Sequence, residues 1–286
     1  MIVILGGIVV LAAVLTGFSM AGGHVHALIH PSELVTIGGA SLGALIMMST
    51  KKVLTDLVHS LIGVMKNSPY NDQMYRELFK LTYDLMRVQR RDGLLALENH
   101  IVNPFESPIF GKYPRFLKDH HAVEFLCSSL ASLLDGGATP EQVSELLEAE
   151  LKVLDEEHHA PINVLSKSAD ALPGFGIVAA VLGIVVTMGA IDGPVEEVGH
   201  KVGAALVGTF LGILMSYGLF APLAARMELL GATELAFFRT IATIVLAQAK
   251  DYAPRVAIER ARRGAPTEVR PKRTDMDQLF REAEAA

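Results

Sequence analysis

Two long uncharged stretches near the middle of the chain constrain its fold more than any other feature. Residues 171–191 and 202–225 contain no Asp, Glu, Lys or Arg, and a charged residue borders each stretch at both ends. A helix over the first stretch would be about 30 Å long, which matches the hydrocarbon thickness of a bilayer. Both stretches therefore predict helices that span a membrane.

The other charges of the chain are segregated in the same way. Residues 1–32 and 34–50 also lack these four residue types, although 20% of the chain is charged. One such charge at a helix centre costs ~2.5–3.5 kcal/mol on insertion into a bilayer, so this separation is typical of a membrane protein. The sequence predicts an all-α polytopic membrane protein with four spans, at 1–22, 34–50, 171–191 and 202–225.

The basic residues predict the orientation of these spans. Of the 25 Lys and Arg residues, 24 lie in residues 51–170 and 226–286. Basic residues close to span ends mark the cytoplasmic side, which puts both termini in the cytoplasm and leaves short external turns at 23–33 and 192–201. The predicted domains are a transmembrane hairpin (1–50), a helical cytoplasmic domain (51–170), a second transmembrane hairpin (171–225) and a cytoplasmic C-terminal helix and tail (226–286).

The predicted cytoplasmic domain has a helical pattern throughout. Between Asp72 and Arg91, apolar residues recur at steps of four, three, four and three, which predicts an amphipathic helix that Asp92-Gly93 loosens. A second helix is expected over 114–134, ending at Gly136-Gly137. Thr139-Pro-Glu-Gln142 predicts a helix start, because Thr caps the first turn and Gln reaches back to it.

Small and polar residues near the spans have ordinary structural interpretations. His24, His26 and His30 are interpreted as polar residues of an external loop, since no Cys or acidic partner completes a metal site. Ser32 is expected to cap the second span, and Glu33 to favour the positive end of its helix dipole. The Gly39/Gly43 and Gly208/Gly212 spacings predict close contacts between helix backbones.

No predicted span carries an ionisable side chain, whereas membrane proteins that carry ions usually hold one within the bilayer. Either the chain moves no ions, or a partner helix supplies the titrating group and these spans surround it. Nucleotide-binding loops, metal-ligand spacings and nucleophile motifs are also missing, so no enzyme, resident metal or cofactor is predicted. The single cysteine, Cys127, excludes a disulfide within the chain.

Several motifs resemble those of the MotA family, the larger stator subunits of the bacterial flagellar motor. They are Leu172-Pro-Gly-Phe-Gly-Ile-Val-Ala-Ala-Val-Leu-Gly, Val207-Gly-Thr-Phe-Leu-Gly-Ile-Leu, Tyr217-Gly, Ala221-Pro-Leu-Ala and, in the tail, Tyr252-Ala-Pro. The resemblance covers nearly the whole chain. Either of the first two motifs alone would also fit the wider family that includes the TolQ and ExbB energisers.

The resemblance implies the missing partner. Members of the family form a ring, thought to hold five copies, around two single-span MotB chains that supply an ion-binding aspartate and anchor to peptidoglycan. The resemblance further implies that Pro173 and Pro222 couple ion passage to movement and that Thr209 faces the ion path. The residue chemistry alone favours a different interpretation of Thr209, in which its hydroxyl bonds back to a carbonyl one turn earlier. Phe175 and Tyr217 lie in the same motifs, and Ala180 indicates protons rather than sodium ions.

The resemblance assigns Arg90 and Glu98 to the contact with the rotor protein FliG. On a continuous helix, however, Arg91 would share the face of Glu98 better than Arg90 does. Each of these charges alone is most simply a solvated surface residue. Two alternatives remain open at this point: a TolQ/ExbB-type energiser of an envelope system, and a structural membrane scaffold.

Overall fold

The computed structural model describes residues 2–66, 68–134 and 138–285, and these residues form helices and connecting loops without any β-strand. The α-helices, in chain order, are α1 (Ile2–Met20), α2 (Pro31–Met47), α3 (Lys51–Val64), α4 (Asp72–Asp92), α5 (Leu94–Val102), α6 (Pro114–Leu117), α7 (His120–Leu134), α8 (Pro140–Met188), α9 (Val195–Met215), α10 (Ala221–Ala249), α11 (Pro254–Gly264) and α12 (Arg273–Ala285). A five-residue π-helical segment, Ser216–Phe220, joins α9 to α10. The predicted all-α class is confirmed.

The chain folds into two compact units, which we call the span unit and the helical unit. The span unit comprises Met1–Asn67 and Glu157–Leu230, and the helical unit comprises Ser68–Glu156 and Gly231–Ala286. Both units are therefore assembled from two separate parts of the sequence. The division of the chain by side of the membrane stays a prediction.

The span unit contains the apolar helices. Three helical runs are long and apolar enough to cross a membrane: Ile2–Met20, Pro140–Met188 and the continuous run Val195–Ala249. At 17 residues, α2 is shorter than these runs. None of the described residues of α1 is buried, and apolar side chains of α8 such as Val185 (63% exposed) face outward. Large apolar surfaces of this kind indicate lipid or another chain around the unit.

Two helix starts in the span unit differ from the prediction. The N-cap of α2 is His30 rather than Ser32, because Pro31 occupies the first helical position, where its missing N–H costs nothing. Helix α9 begins at Val195, seven residues before the uncharged stretch, and so includes the charged residues that border it. Charged and polar residues are also compatible with a helix. The end of an uncharged stretch therefore marks a change of environment and not the end of the helix.

The helical unit is built around α4. Met74, Leu78, Leu81 and Leu85 are all at most 3% exposed, so the predicted stripe is confirmed. An aromatic cluster completes the core, in which the ring centroids of Tyr75 and Phe237 lie 5.1 Å apart. Such apolar burial is the main term that stabilises the unit.

Two further predictions for the helical unit concern the start of α8 and the helix expected over 114–134. Gln142 accepts a hydrogen bond from the Thr139 N–H at 2.9 Å, and Thr139 accepts one from the Gln142 N–H at 3.3 Å, which confirms the predicted cap of α8. The single helix expected over 114–134 is wrong. Asp119 interrupts it by capping α7, where its Oδ1 accepts from the Ala122 N–H at 3.1 Å. The end expected at Gly136-Gly137 lies outside the described residues.

Candidate functional site: the α8–α9 pair and the α4–α5 corner

Helices α8 and α9 pack backbone against backbone. A Cβ atom added to Gly212 would lie 2.6 Å from the Leu172 carbonyl oxygen and 3.0 Å from the Gly176 Cα, and one on Gly176 would lie 2.8 Å from the Gly208 oxygen. These positions require glycine because a Cβ would overlap main-chain atoms. The contact predicted from the Gly208/Gly212 spacing is confirmed. Gly39 and Gly43 have no neighbour of this kind within the described chain.

The contact continues towards the far end of the pair. A Cβ on Gly183 would lie 2.7 Å from the Cβ of Ala205, which is itself 1% exposed. The small residues therefore hold the two helices together over more than one turn. Neither helix carries an ionisable side chain along residues 171–188 or 202–215.

The predicted ion-path residues Ala180 and Thr209 lie on this pair. Ala180 is 7% exposed, and its backbone nitrogen would be 3.3 Å from a Cβ on Gly208. Thr209 is half-buried, and its Cα faces Gly176. The Thr187 hydroxyl donates to the Gly183 carbonyl at 2.8 Å, but Thr209 makes no hydrogen bond to any described residue. Its hydroxyl is therefore available to a ligand or partner.

Pro173 and Phe175 lie where α8 enters the span unit's core. The helix continues through Pro173 without a break, although proline removes one backbone donor there. The adjacent Leu172 is fully buried, and Phe175 packs against the cluster that Leu172 forms with Ile37 and Ala179. Pro173, like Pro161 earlier in the same helix, thus provides a weakened position in α8.

The chain widens into a π-helix that ends two residues before Pro222. This proline cannot donate to a carbonyl of the preceding turn, and the five residues Ser216–Phe220 adopt the wider turn there. Tyr217, within that turn, is 67% exposed, while the Ser216 hydroxyl is buried without a partner among the described residues. Sequence analysis identified the proline but not the π-helix, a feature often found at functional positions.

Glu33 is a residue of this site that sequence analysis did not identify. It lies in the first turn of α2, is 7% exposed, and has an Oε2 atom with no hydrogen-bond partner among the described residues. A Cβ on Gly208 would lie only 2.6 Å from that oxygen. The expectation that Glu33 merely favours a helix dipole in an external turn is therefore incomplete, because its carboxyl packs against α9. No local signal in the sequence predicts this contact.

The candidate rotor-facing charges lie at the corner between α4 and α5. Helix α4 ends at Asp92, and Gly93 has a φ of 89°, a conformation that favours glycine. The sequence argument that Arg91 shares a face with Glu98 assumes one continuous helix. Because α4 ends before Glu98, that assumption is wrong. The sequence predicts only a loosened helix at Asp92-Gly93, whereas α4 ends there.

The three charges at this corner differ in their surroundings. Arg90 donates to the carbonyl oxygen of Asp251 at 3.1 Å, whereas Arg91 donates to Asp92 at 2.8 Å. This hydrogen bond lowers the pKa of the Asp92 carboxyl. Glu98 is exposed and pairs with no cation in the described part of the chain. Of the three, Glu98 is the charge most available to a partner.

The buried carboxyl of Asp84 lies on α4, the first of the two helices at this corner. Asp84 accepts a hydrogen bond from the Tyr113 hydroxyl at 2.9 Å and is nearly enclosed. Burial raises the pKa of Asp84, and the bond from Tyr113 partly offsets that effect. The bond holds α4 against Tyr113, the residue that precedes α6. Among the described residues no group of three or more His, Cys, Asp or Glu side chains could hold a metal ion.

Comparison with known proteins relates these features to a family. Residues 4–93 match the family described as Motility protein A N-terminal, and residues 118–247 match the MotA/TolQ/ExbB proton channel family. Motility protein A of Salmonella typhimurium is 36% identical over 281 residues, which covers 98% of this chain and 95% of the relative. Chemotaxis protein LafT of Vibrio parahaemolyticus is 33% identical, with 98% of each chain covered.

The fold is similar to that of solved structures as well. The structure of C. jejuni MotAB aligns with a TM-score of 0.77, at 23% sequence identity, over 95% of this chain and 98% of that chain. At this level of identity the likeness concerns the fold, and the curated relatives carry the assignment to a family. The chain belongs to the Motility protein A family, within the MotA/TolQ/ExbB proton channel family.

Proposed function

We propose that this chain is a stator subunit of the bacterial flagellar motor, which forms a proton channel with a MotB-type partner and converts ion-motive force into torque. Membership of the Motility protein A family over 98% of the chain is the observation that carries this proposal. The close packing of α8 against α9 at their glycines supports this proposal. Helices that surround a partner helix need to pack closely and to carry no charged side chains of their own.

In this mechanism the partner supplies the ion-binding aspartate. Each proton that crosses the membrane releases ~2.3 kcal/mol per 100 mV of membrane potential. Protonation removes the charge of the partner's aspartate and so changes which contacts with Thr209, Ala180 and Tyr217 are favourable. The half-buried Thr209 hydroxyl, which has no partner among the described residues, supports such a role. The transported ion is H⁺, and no resident cofactor takes part.

Pro173 and Pro222 would let the helices respond to that change. Both remove a backbone donor, and Pro222 lies two residues after the π-helical turn. A helix with a missing hydrogen bond bends more easily than an intact one. Phe175, which packs beside Pro173 against the buried cluster, would transmit the movement to α2.

Torque would pass to the rotor protein FliG through the α4–α5 corner. Arg90, Arg91 and Glu98 are exposed there. Exposed ion pairs contribute ~0–1 kcal/mol each and weaken in salt, so several must act together. Glu98→Lys is expected to slow swimming more than Glu106→Lys, a matched change at another exposed glutamate. Equal swimming speeds of the two variants would contradict a rotor contact at Glu98.

The assembly follows from the same proposal. The chain would lie in the bacterial inner membrane around the flagellar basal body, with four spans and both termini in the cytoplasm. Five copies would surround a partner dimer that is anchored to peptidoglycan. The outward-facing apolar residues of α1 support a position against lipid or a neighbouring copy. Labelling of single cysteines at residues 27 and 278 from outside and inside the cell would test the orientation.

Complementation of motility tests the proposed function. The full chain, expressed with its own MotB-type partner in a non-motile strain that lacks both stator subunits, should restore swimming and proton-dependent rotation of tethered cells. A chain that fails there, but restores envelope transport to a strain without TolQ or ExbB, would instead be an energiser of the envelope. A chain that restores neither, while it still assembles in the membrane, would be a structural scaffold.

A further inference from the structure

The carboxyl group of Glu33 is the one acidic side chain enclosed among the described helices of the span unit. It is 7% exposed, its Oε2 is buried, and no described residue donates a hydrogen bond to that oxygen. A buried carboxyl oxygen without a partner is unfavourable, because its hydrogen bonds to water are lost on folding and no hydrogen bond within the protein replaces them. A residue of this kind indicates a ligand that the polypeptide itself does not provide.

Helix capping does not account for Glu33. A glutamate in the first turn of a helix normally favours the free N–H groups and stays in contact with water. Here the backbone N–H of Glu33 donates to the His30 carbonyl at 3.2 Å, and the side chain accepts from no N–H group in the described chain. The carboxyl instead points across to α9. Its position therefore serves something other than the end of α2.

The surroundings of Glu33 are those of the candidate ion path. The Oε2 atom lies against Gly208, where a Cβ would be only 2.6 Å away, and the same Cβ would lie 3.3 Å from the Ala180 nitrogen. Thr209 follows Gly208 in the chain. Glycine at position 208 thus makes room for the carboxyl between α2, α8 and α9.

Two cavities lie next to His30, the residue three positions before Glu33. The Nδ1 atom of His30, one turn before Glu33, is also buried without a partner among the described residues. His30 and His200 line two adjacent cavities at this end of the span unit. Histidine exchanges protons near neutral pH, so it can pass them between external water and a nearby carboxyl.

Helix α8 contributes no charged or titratable group between residues 171 and 188. The groups that line the two cavities, besides His30, lie on α9 and on residues 24–26. They are His24, His26, Glu196, Glu197, His200 and Lys201. Glu197 is exposed and pairs with Lys201 at 2.9 Å. Glu33 is thus distinct from this surface group of charges.

We propose that Glu33 is a proton-binding site on the ion path of this chain, which accepts protons from the external side by way of His30 and passes them on to the partner's aspartate. The inference rests on the proposed function. The step is a proton transfer only: an O–H bond forms at the Glu33 carboxylate as a proton leaves His30 or hydronium, and the same bond breaks when the proton passes inward. The carboxyl returns to its anionic form, and nothing is oxidised or reduced.

Proton flux at different external pH values tests this site. Vesicles would contain the full chain with a MotB-type partner from which the plug segment is deleted, as wild type, Glu33→Gln, Glu33→Asp or the matched control Glu197→Gln. At external pH 7.5 we expect Glu33→Gln to lower flux by about tenfold or more, because direct entry of scarce protons becomes limiting. Acidification should restore the flux of this variant, since free protons then replace the relay. Glu197→Gln should match wild type at every pH.

The aspartate variant separates proton binding from packing. Glu33→Asp keeps the carboxyl and should retain more flux than Glu33→Gln at pH 7.5, in complexes that assemble to the same extent with the partner. If both variants lose flux by the same factor at all pH values, Glu33 has a structural role. If Glu33→Gln keeps wild-type flux, Glu33 has no role in proton transfer. Either result overturns the inference. Absence of flux from the wild-type complex would instead contradict the proposed function.

Discussion

Substitution of Gly212 by alanine tests the packing of α8 against α9. The added Cβ would lie 2.6 Å from the Leu172 carbonyl oxygen, about 0.8 Å short of the 3.4 Å at which ordinary contact begins. The three nearest atoms, the Leu172 oxygen and the Cα and nitrogen of Gly176, all belong to the main chain, so the helices must separate. Overpacking of this kind costs about 1–3 kcal/mol. Alanine also favours the helix by about 1 kcal/mol over glycine, which leaves a net loss of about 0–2 kcal/mol.

Gly203→Ala is the matched control, because this glycine lies on the same helix with no atom of the described chain within 4 Å of its Cβ position. The control keeps the gain of about 1 kcal/mol without the overlap. The two variants should therefore differ by about 1–3 kcal/mol, or roughly 2–4 °C per kcal/mol in the thermal unfolding of the purified complex. Gly212→Ala should also impair swimming. Equal melting temperatures for the two variants would refute the close approach of these helices.

Three further predictions concern the helical unit. Phe237→Ala should destabilise it by about 3–5 kcal/mol, since this fully buried ring joins the aromatic cluster, and rapid proteolysis of the unit should report the loss. Burial raises the pKa of the Cys127 thiol to about 12, so maleimide should label it slowly until the unit unfolds, and fast labelling at pH 8 would be inconsistent with this burial. Hydrogen bonds from Arg262 and Arg263 lower the pKa of Glu259 to about 2. Because its carboxylate is favoured in the folded state, Glu259→Gln should cost about 1 kcal/mol at pH 7, and the difference from wild type in thermal unfolding should shrink as the pH falls from about 4.5 towards 2.

Local patterns in the sequence predict much of this fold. The apolar stripe of α4 and the Thr139–Gln142 cap depend only on residues within one or two turns. The Gly208/Gly212 contact also follows from a spacing on one helix, because small residues on one face allow a neighbour to approach closely. Features of this kind are visible before any tertiary structure is known.

The features that sequence analysis missed depend on contacts between distant segments. The burial of Glu33 arises only when α2 packs against Gly208, which lies 175 residues further along the chain. The helix break at Gly93 and the π-helix before Pro222 depend on which hydrogen bonds the surrounding structure leaves open. No periodicity or composition encodes them. The roles of Thr209 and Ala180 likewise come from a resemblance, because a threonine and an alanine have no chemistry that identifies an ion path by itself.

Proton flux through vesicles tests most directly the claim that this chain forms the sheath and a partner supplies the titrating aspartate. Three preparations would be compared: this chain alone, this chain with a MotB-type partner from which the plug segment is deleted, and the same complex with the partner's aspartate replaced by asparagine. The account predicts flux only in the second. Flux from this chain alone, or undiminished flux after replacement of the aspartate, would contradict it.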